Sequence, residues 1–463
     1  MTWIQARIAA MLLIPGLSPA RAGADDLDLY LRDQMARRHI PGLSLAVVRE
    51  GKVALARGYG LASVELAVPA TPSTVFELAS VSKQFTATAI MLLVEDGKLG
   101  LDDRIVDRLP GLPPLWAGIT VRHLLNHTSG IPDYLRPPLS LRDDHSGGDL
   151  IALVAGKPLE FPPGEGWAYS NTNYLLLGLI VERASGQAFP RFLDDRIFRP
   201  LGMAATRVTD PLAIIPGRAT GYEHAGGTLR VRDFLSPTLS ATGDGGVSSS
   251  ALDLARWSAA LDGETLLRAP ALRQMWTPGK LKDGTPTHYG FGWAIGRDGD
   301  HPVIEHSGAF PGFNAHLARY PDDKLTVIVL ANTSTARAER IARAIAARFI
   351  PGLPIPAEPA EDLEDPPTTA RHKALLLAWL EGKLDPALFT PEARAALFPA
   401  AIEAVRKNLA PLGPLRTFAW LANDEERGLR TRRYRAELGQ TAWALTITLA
   451  DDGKIAGVII RPE

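Results

Sequence analysis

The chain has 463 residues, 46% hydrophobic and 22% charged, which builds a large core and excludes a disordered chain, a collagen and a disulfide-dense miniprotein. Lys and Arg number 50 against 51 Asp and Glu, so the net charge is −1 and no global field gathers nucleic acid or anionic lipid. There is no cysteine, which removes thiol catalysis, disulfides, Cys-ligated zinc and lipid attachment through an N-terminal cysteine.

The first segment has a positive residue (Arg7), a short apolar run (Ile8 to Leu17) and a small-x-small site at Ala20-Arg21-Ala22. This predicts a secretory signal peptide over residues 1–22 and an exported protein, periplasmic or secreted. The run is well short of the ~20 residues a membrane helix needs, so no stable membrane span is expected. Two apolar runs around Glu50-Gly51-Lys52 predict a β-hairpin near residues 42–54. Ser80–Asp96 is apolar at helical spacing and free of Gly and Pro until Gly97, which predicts a buried helix. Residues 101–168 read as loops and short helices. A second helix is expected over Asn173–Ala184, started by Asn171 or Thr172 and stopped at Gly186. A third follows the Ser run at Ala251–Leu261. Tyr289–Ile295, Val303–His306, Asn314–Tyr320 and Leu325–Ala331 predict an antiparallel meander, and Arg337–Phe349 a closing helix.

Residues 351–367 are rich in proline and acids and read as a stiff, solvated linker. Beyond it, helices near 369–383 and 391–409 precede strands near 415–421, 428–437, 441–449 and 454–461, with Asp451-Asp452-Gly453 turning between the last two. The expected organisation is therefore a signal peptide (1–22), a main unit (25–350), the linker (351–367) and a small α+β domain (368–463).

Ser80-Val81-Ser82-Lys83 opens the first apolar helix. Three residues apart on a helix means one face, with Cβ atoms about 5–6 Å apart. The helix start offers N–H groups without acceptors where an oxyanion would form, and Lys83 lowers the cost of an alkoxide on Ser80. Ser82 lies about 200° round the helix from Ser80 and reads as packing. Tyr169-Ser170-Asn171 lies just before the second helix. A Tyr hydroxyl of pKa ~10 is a poor base at neutral pH, so Tyr169 makes chemical sense only if Lys83 is near enough to favour its phenolate. Asn171 is placed to hold Lys83 and a substrate carbonyl. His306-Ser307-Gly308 follows a strand at the sheet edge, beside small residues that admit a substrate. The identical His145-Ser146-Gly147 sits in a polar loop and reads as a turn.

Ser-x-x-Lys, then Tyr-x-Asn 89 residues on, then His-Ser-Gly a further 137 residues on, resembles the serine β-lactamase and penicillin-binding superfamily. It is most similar to the class C β-lactamase-like group, which includes D,D-carboxypeptidases, D-aminopeptidases and esterases. Arg122–Gly130, Gly245–Trp257, Tyr289–Trp293 and Gly308–Tyr320 add to the likeness, which covers residues 25–350. It implies an α/β fold with an antiparallel sheet flanked by helices and a helical subdomain. It implies Ser80 as the acylated nucleophile, Lys83 as its cationic partner and Tyr169 as the base. Asn171, His306, Ser307 and Gly308 become substrate contacts, and the N–H groups of Ser80 and Ala309 an oxyanion hole. No cofactor and no metal is implied. The expected partner is a small ester, amide or peptide.

His306 departs from the Lys that the resemblance implies for β-lactamases. Imidazole with a pKa of ~6.5 is mostly neutral at pH 7, so a substrate carboxylate loses a charge-assisted contact of about 1.5–3 kcal/mol. The expectation is therefore an esterase or a D-amino-acid-type peptidase or amidase. The alternatives are a β-lactamase or acyltransferase using the same acyl-enzyme, or a non-catalytic binder of peptidoglycan or peptide. His123 and His127 stand at i, i+4 without the Glu of a His-Glu-x-x-His site, and a metal is not expected. Arg427, Arg430, Arg432 and Arg433 read as a solvated strand face rather than a nucleic-acid site.

Overall fold

The computed structural model describes residues 19–136, 139–225, 228–233, 235–356, 366–426, 429–439, 441–450 and 452–462. Most of the expected leader, residues 357–365 of the Pro-rich stretch, Arg427 and Asp451 lie outside the described residues.

The chain runs α1 (Pro19–Arg37), β1 (Gly42–Arg49), β2 (Lys52–Ser63), β3 (Val68–Pro69), β4 (Phe76–Glu77), a 3-10 turn (Ala79–Ser82) and α2 (Lys83–Glu95). Short helices α3 (Ile105–Arg108), α4 (Val121–Leu125) and α5 (Gly147–Ala155) lead to α6 (Asn171–Ser185) and α7 (Phe189–Leu193). Then come β5 (Arg207–Val208), β6 (Tyr222–Ala225), β7 (Thr228–Val231), β8 (Val247–Ser249), α8 (Ala251–Leu261) and α9 (Ala269–Met275). Next are β9 (Ala294–Asp298), β10 (His301–Phe310), β11 (Phe313–Tyr320), β12 (Leu325–Ala331) and α10 (Ala338–Phe349). The last part holds α11 (Pro366–Leu380), α12 (Pro391–Leu397), α13 (Ala400–Leu409), β13 (Leu415–Glu426), β14 (Leu429–Leu438), β15 (Thr441–Leu449) and β16 (Ile455–Pro462).

Gly42–Val48 and Leu325–Ala331 read as continuous apolar runs because both of their faces are covered. They pair at the centre of an antiparallel sheet of order β3-β2-β1-β12-β11-β10-β9. Leu43, Leu45, Val47, Val327 and Val329 meet Leu27 and Leu31 of α1 and Ile341 and Ile345 of α10. The alternate residues Ala46, Val48, Ile328 and Leu330 face the other way, into a larger core with Phe85 of α2 and Trp257 of α8. That core continues through α4, α5, α6 and α7, the helical subdomain. The fold is thus the expected one, a large antiparallel sheet flanked by helices, with a further sheet of order β13-β14-β15-β16 near the C-terminus.

Several local expectations shift. Ser80 lies on the 3-10 turn, one step before α2, rather than inside a single helix. Asn171 is the first residue of α6, with Ser170 at the cap position, and Gly186 ends that helix in the left-handed conformation. Tyr289–Trp293 is not strand, so β9 starts only at Ala294. Ser146 is no mere turn residue. It caps α5, accepting from the Asp149 N–H while Asp149 reaches back to the Ser146 N–H. The helical stretch after residue 390 breaks at Pro399 into α12 and α13. Arg432 is not on a solvated face. It is buried, two residues from Tyr434 and therefore on the same inner side of β14. Among the described residues no helix is long and apolar enough to cross a membrane.

Ser82 does more than pack. It is wholly buried, and its Oγ accepts the Val247 N–H at 2.9 Å, tying the start of α2 to β8. Ser82→Ala leaves that N–H buried without a partner, at a cost of about 1–3 kcal/mol. The expected readout is a lower urea midpoint at an unchanged slope, and an unmoved midpoint would show that the contact supports nothing.

Candidate active site

The nucleophile candidate is held on a strained turn. Ala79, just before Ser80, has φ of 48°, a left-handed conformation that costs a non-glycine residue on the order of 1–3 kcal/mol. The surroundings hold it there: Leu78 N–H donates to the Val247 carbonyl, and β10 presses on the turn from the other side. A Cβ on Gly308 of β10 would stand 2.1 Å from the Leu78 carbonyl oxygen and 3.1 Å from the Ser80 nitrogen, so only glycine fits. Ser80 itself keeps part of its surface open to solvent.

Lys83 is fully buried. Its ammonium donates to Ser80 Oγ at 3.0 Å, to Asn171 Oδ1 at 2.8 Å and to the Asp244 carbonyl at 2.7 Å. Burial lowers its pKa to about 8, against the opposing pull of the Asp244 and Asp133 carboxylates. Asn171 is fixed from behind, its Nδ2 donating to Asp133 Oδ2 at 2.9 Å. The Asp244 carboxyl accepts from the Tyr134 hydroxyl at 3.0 Å, and burial raises its pKa. Lys83 therefore sits between two acidic side chains while its hydrogen bonds go to a hydroxyl, an amide and a backbone carbonyl.

Tyr169 lies against this group, with Lys83 Nζ 4.9 Å from its ring centroid. The expected phenolate is not favoured. Burial of the hydroxyl raises the Tyr169 pKa well above its ordinary value, and this outweighs the lowering by the nearby Ser80 hydroxyl. The ring packs on His127, at 4.4 Å between centroids, and on Tyr289 and His306. His127 is buried, with its Nδ1 3.0 Å from Asn173 Nδ2 and accepting the Ser170 N–H at 3.3 Å. His123 serves the start of α4, its Nδ1 accepting the Thr120 N–H at 3.2 Å.

His306 is brought to the same cluster but both ring nitrogens are occupied. Nδ1 donates to the Ser307 carbonyl at 2.6 Å, which leaves Nε2 to accept from the Tyr289 hydroxyl at 2.7 Å. Burial first and the Lys83 charge second lower its pKa to about 3, so the ring is neutral. The structure thus places His306 as a packed, hydrogen-bonded neighbour of Tyr169 and Tyr289. Ser307 does not share that face. Its Oγ meets His316 Nδ1 at 2.8 Å and Glu339 of α10 at 3.4 Å, on the opposite side of the sheet, as strand alternation requires.

Backbone geometry prepares Ala309. Phe310 and Phe313 flank the turn Pro311-Gly312 and form a hydrogen-bonded pair, so Gly308–Ala315 and His306–Leu317 are the next such pairs. The Ala309 N–H then points away from β11. It points to the side where β9 has already ended, at Ala294 opposite Glu305. β10 is an inner strand up to Glu305 and becomes the sheet edge only beyond it. The Ser80 N–H, at the start of its helical turn, likewise has no acceptor within that turn. Gly308, the neighbour of Ala309, packs against the Ser80 turn, and the buried Lys83 ammonium reaches the Ser80 hydroxyl. Such an arrangement can stabilise a tetrahedral oxyanion.

The sequence reading gave no site role to Asp133, Tyr134, Asp244 or Tyr289, although Tyr289 opens a stretch that carries the resemblance. Asp244 lies between glycines in Thr242–Gly246, one residue before a stretch already singled out, and an acidic residue in a glycine turn is a signal that could have found it. Asp133 and Tyr134 carry no local pattern.

Residues 27–350 match the family model described as Beta-lactamase. The chain is similar to penicillin-binding protein 4* of Bacillus subtilis (strain 168), with 34% identity over 320 residues, 65% of this chain and 70% of that one. It is also similar to a D-aminopeptidase of Gluconobacter oxydans (strain 621H), with 29% identity covering 81% of this chain and 70% of that one. Among solved structures, a D-stereospecific amidohydrolase from Streptomyces sp. superimposes with a TM-score of 0.61 at 26% identity, over 70% of this chain and 98% of that one. A match over this much of the chain, on a fold that assembles Ser80, Lys83 and Tyr169, shows that the protein belongs to the Beta-lactamase family, within the serine β-lactamase and penicillin-binding superfamily of serine hydrolases.

Proposed function

We propose that the protein hydrolyses esters and D-amino-acid-type amides or peptides through an acyl-enzyme on Ser80. The observation that carries this reading is the buried Lys83 ammonium on Ser80 Oγ, with its pKa lowered to about 8. An amine so tuned is partly neutral at physiological pH and accepts the Ser80 proton as Oγ attacks the carbonyl carbon. Negative charge on the carbonyl oxygen is met by the Ser80 and Ala309 N–H groups. Tyr169, kept protonated by burial, donates its proton to the leaving nitrogen or oxygen as that bond breaks, and Lys83 returns a proton to Tyr169. Water repeats the sequence on the acyl-enzyme, releasing the acid and restoring Ser80.

The neutral, fully bonded His306 supports substrates that need no carboxylate anchor. The names of the similar D-aminopeptidase and D-stereospecific amidohydrolase support the amide side of the range. The same acyl-enzyme serves an acyltransferase if an alcohol or amine replaces water. The leader-like residues 1–22 support an exported location, periplasmic or secreted. The same reading takes 25–350 as the hydrolase unit, with 351–367 as a linker and 368–463 as a separate unit.

Initial rates on p-nitrophenyl acetate, D-alanine p-nitroanilide and nitrocefin test the substrate class. The expected result is turnover of the ester or the anilide, with nitrocefin about 10–100-fold lower in kcat/KM, the equivalent of one lost charge-assisted hydrogen bond. All turnover should vanish in Ser80→Ala; survival of ester hydrolysis there would remove the nucleophile assignment. A pH profile tests the base. Because the deprotonated amine is the active form, kcat/KM should rise tenfold per pH unit and level off near pH 8. A profile already level by pH 6 would assign the base elsewhere. Gly308→Ala, which pushes β10 off the Ser80 turn, should lower kcat/KM by about 100-fold.

A further inference from the structure

The two N–H donors of the oxyanion site come from different parts of the chain. Ser80 follows β4, while Ala309 is carried by the β10–β11 hairpin. One side chain joins them. Arg232, just after β7, donates from Nη1 to Glu77 Oε2 at 2.7 Å and from Nη2 to Glu77 Oε1. The same Nη1 donates to the Pro311 carbonyl at 3.1 Å. Glu77 is the last residue of β4, three before Ser80, and Pro311 is two residues after Ala309.

The joint is built rather than incidental. The Glu77 side chain is 8% exposed and that of Arg232 17%, so this is a largely desolvated pair and not a surface one. The guanidinium lies 4.8 Å from the Phe313 ring centroid. Its stem passes between two glycines. A Cβ on Gly221 would stand 2.8 Å from Arg232 Cδ, and one on Gly312 would stand 2.7 Å from the same atom. Gly312 is also at φ of 77°, which suits the second position of a Pro-Gly turn. The Arg232 N–H is fixed as well, donating to the Gly221 carbonyl at 2.9 Å.

A planar guanidinium with both nitrogens on one carboxylate fixes orientation as well as distance. Oxyanion stabilisation depends on such positioning, since donors must be in place before charge develops. We propose that Arg232 is a positioning residue for the oxyanion site, setting the Ala309 N–H against the Ser80 N–H through its fork on Glu77 and Pro311. This rests on the acyl-enzyme reading above.

Full-length Arg232→Met, Arg232→Lys and Glu77→Gln, alone and with Arg232→Met combined with Glu77→Gln, are assayed on p-nitrophenyl acetate. Binding of phenylboronic acid, whose tetrahedral adduct on a serine mimics the oxyanion, is measured alongside. The expected result is kcat lowered about 10–100-fold, KM within about threefold, and boronate affinity falling in parallel with kcat/KM, at the scale of a displaced oxyanion donor. The double variant should be no worse than the poorer single one, as for two ends of one contact. Arg232→Lys keeps the charge but loses the fork, so it should stay defective. If Arg232→Met does not fold, Arg232→Lys with the boronate series decides.

Wild-type kcat and boronate affinity in a folded Arg232→Met, full activity in Arg232→Lys, or a rise in KM alone, would overturn the proposal. Absence of any Ser80-dependent turnover in the wild type would instead overturn the acyl-enzyme reading on which it rests.

Discussion

An ammonium taken out of water must find its partners inside the protein, and Lys83 finds them in three separate stretches of chain. The 3-10 turn supplies Ser80, the start of α6 supplies Asn171, and the glycine turn before β8 supplies the Asp244 carbonyl. Each is placed by a different part of the core. Asn171 depends on α6 being seated in the core through its own Tyr174, Leu176 and Leu177, and the Ser80 turn depends on β8 and β10 closing over it. The charge therefore draws the helical subdomain and the large sheet to one point. Removing any of the three supports leaves a buried cation short of a hydrogen bond, a costly state that weights the assembly towards one geometry.

The same burial decides the chemistry around it. A low-dielectric setting disfavours every charged form, so it lowers Lys83 towards neutrality, keeps His306 neutral and keeps Tyr169 protonated. These directions suit one another. In the proposed mechanism the amine is then the proton acceptor and the phenol the donor, while the imidazole holds Tyr289. In a solvated copy of these side chains the phenol would still be protonated and the imidazole mostly neutral at pH 7, but the lysine would stay a full ammonium.

How much of this was legible in the sequence follows from how each piece is encoded. Ser80, Lys83, Tyr169 and His306 sit beside helices and strands whose periodicity is local, so their places in the site could be read along the chain. The central strands and the closing helix α10 were equally plain. Asp133, Glu77 and Arg232 join the site only through tertiary pairing, and no local pattern marks them, whereas Asp244 stands in a glycine turn and Tyr289 opens the Tyr289–Trp293 stretch. The phenolate expectation failed because sequence shows that Lys83 and Tyr169 exist but not how deeply the hydroxyl is buried, and burial outweighs the neighbouring charge. Ser307 is a different kind of miss. Once His306 is placed on a strand facing the site, alternation alone sends Ser307 to the far face. Arg432 also reads as solvated within a basic run, yet every second residue of β14 faces inward, and its position matches that of buried Tyr434.

The pairing of β1 with β12 sets Leu43 beside Ala331 at the centre of the sheet. A ribosome delivers Ser80, Lys83 and Tyr169 long before it delivers the strand that closes this sheet, or the hairpin that bears Ala309. A growing chain thus carries the proposed nucleophile early and the proposed oxyanion donor Ala309 late. The proposed hydrolysis is in this sense a property of the finished topology, and its appearance would mark the moment β1 has met β12.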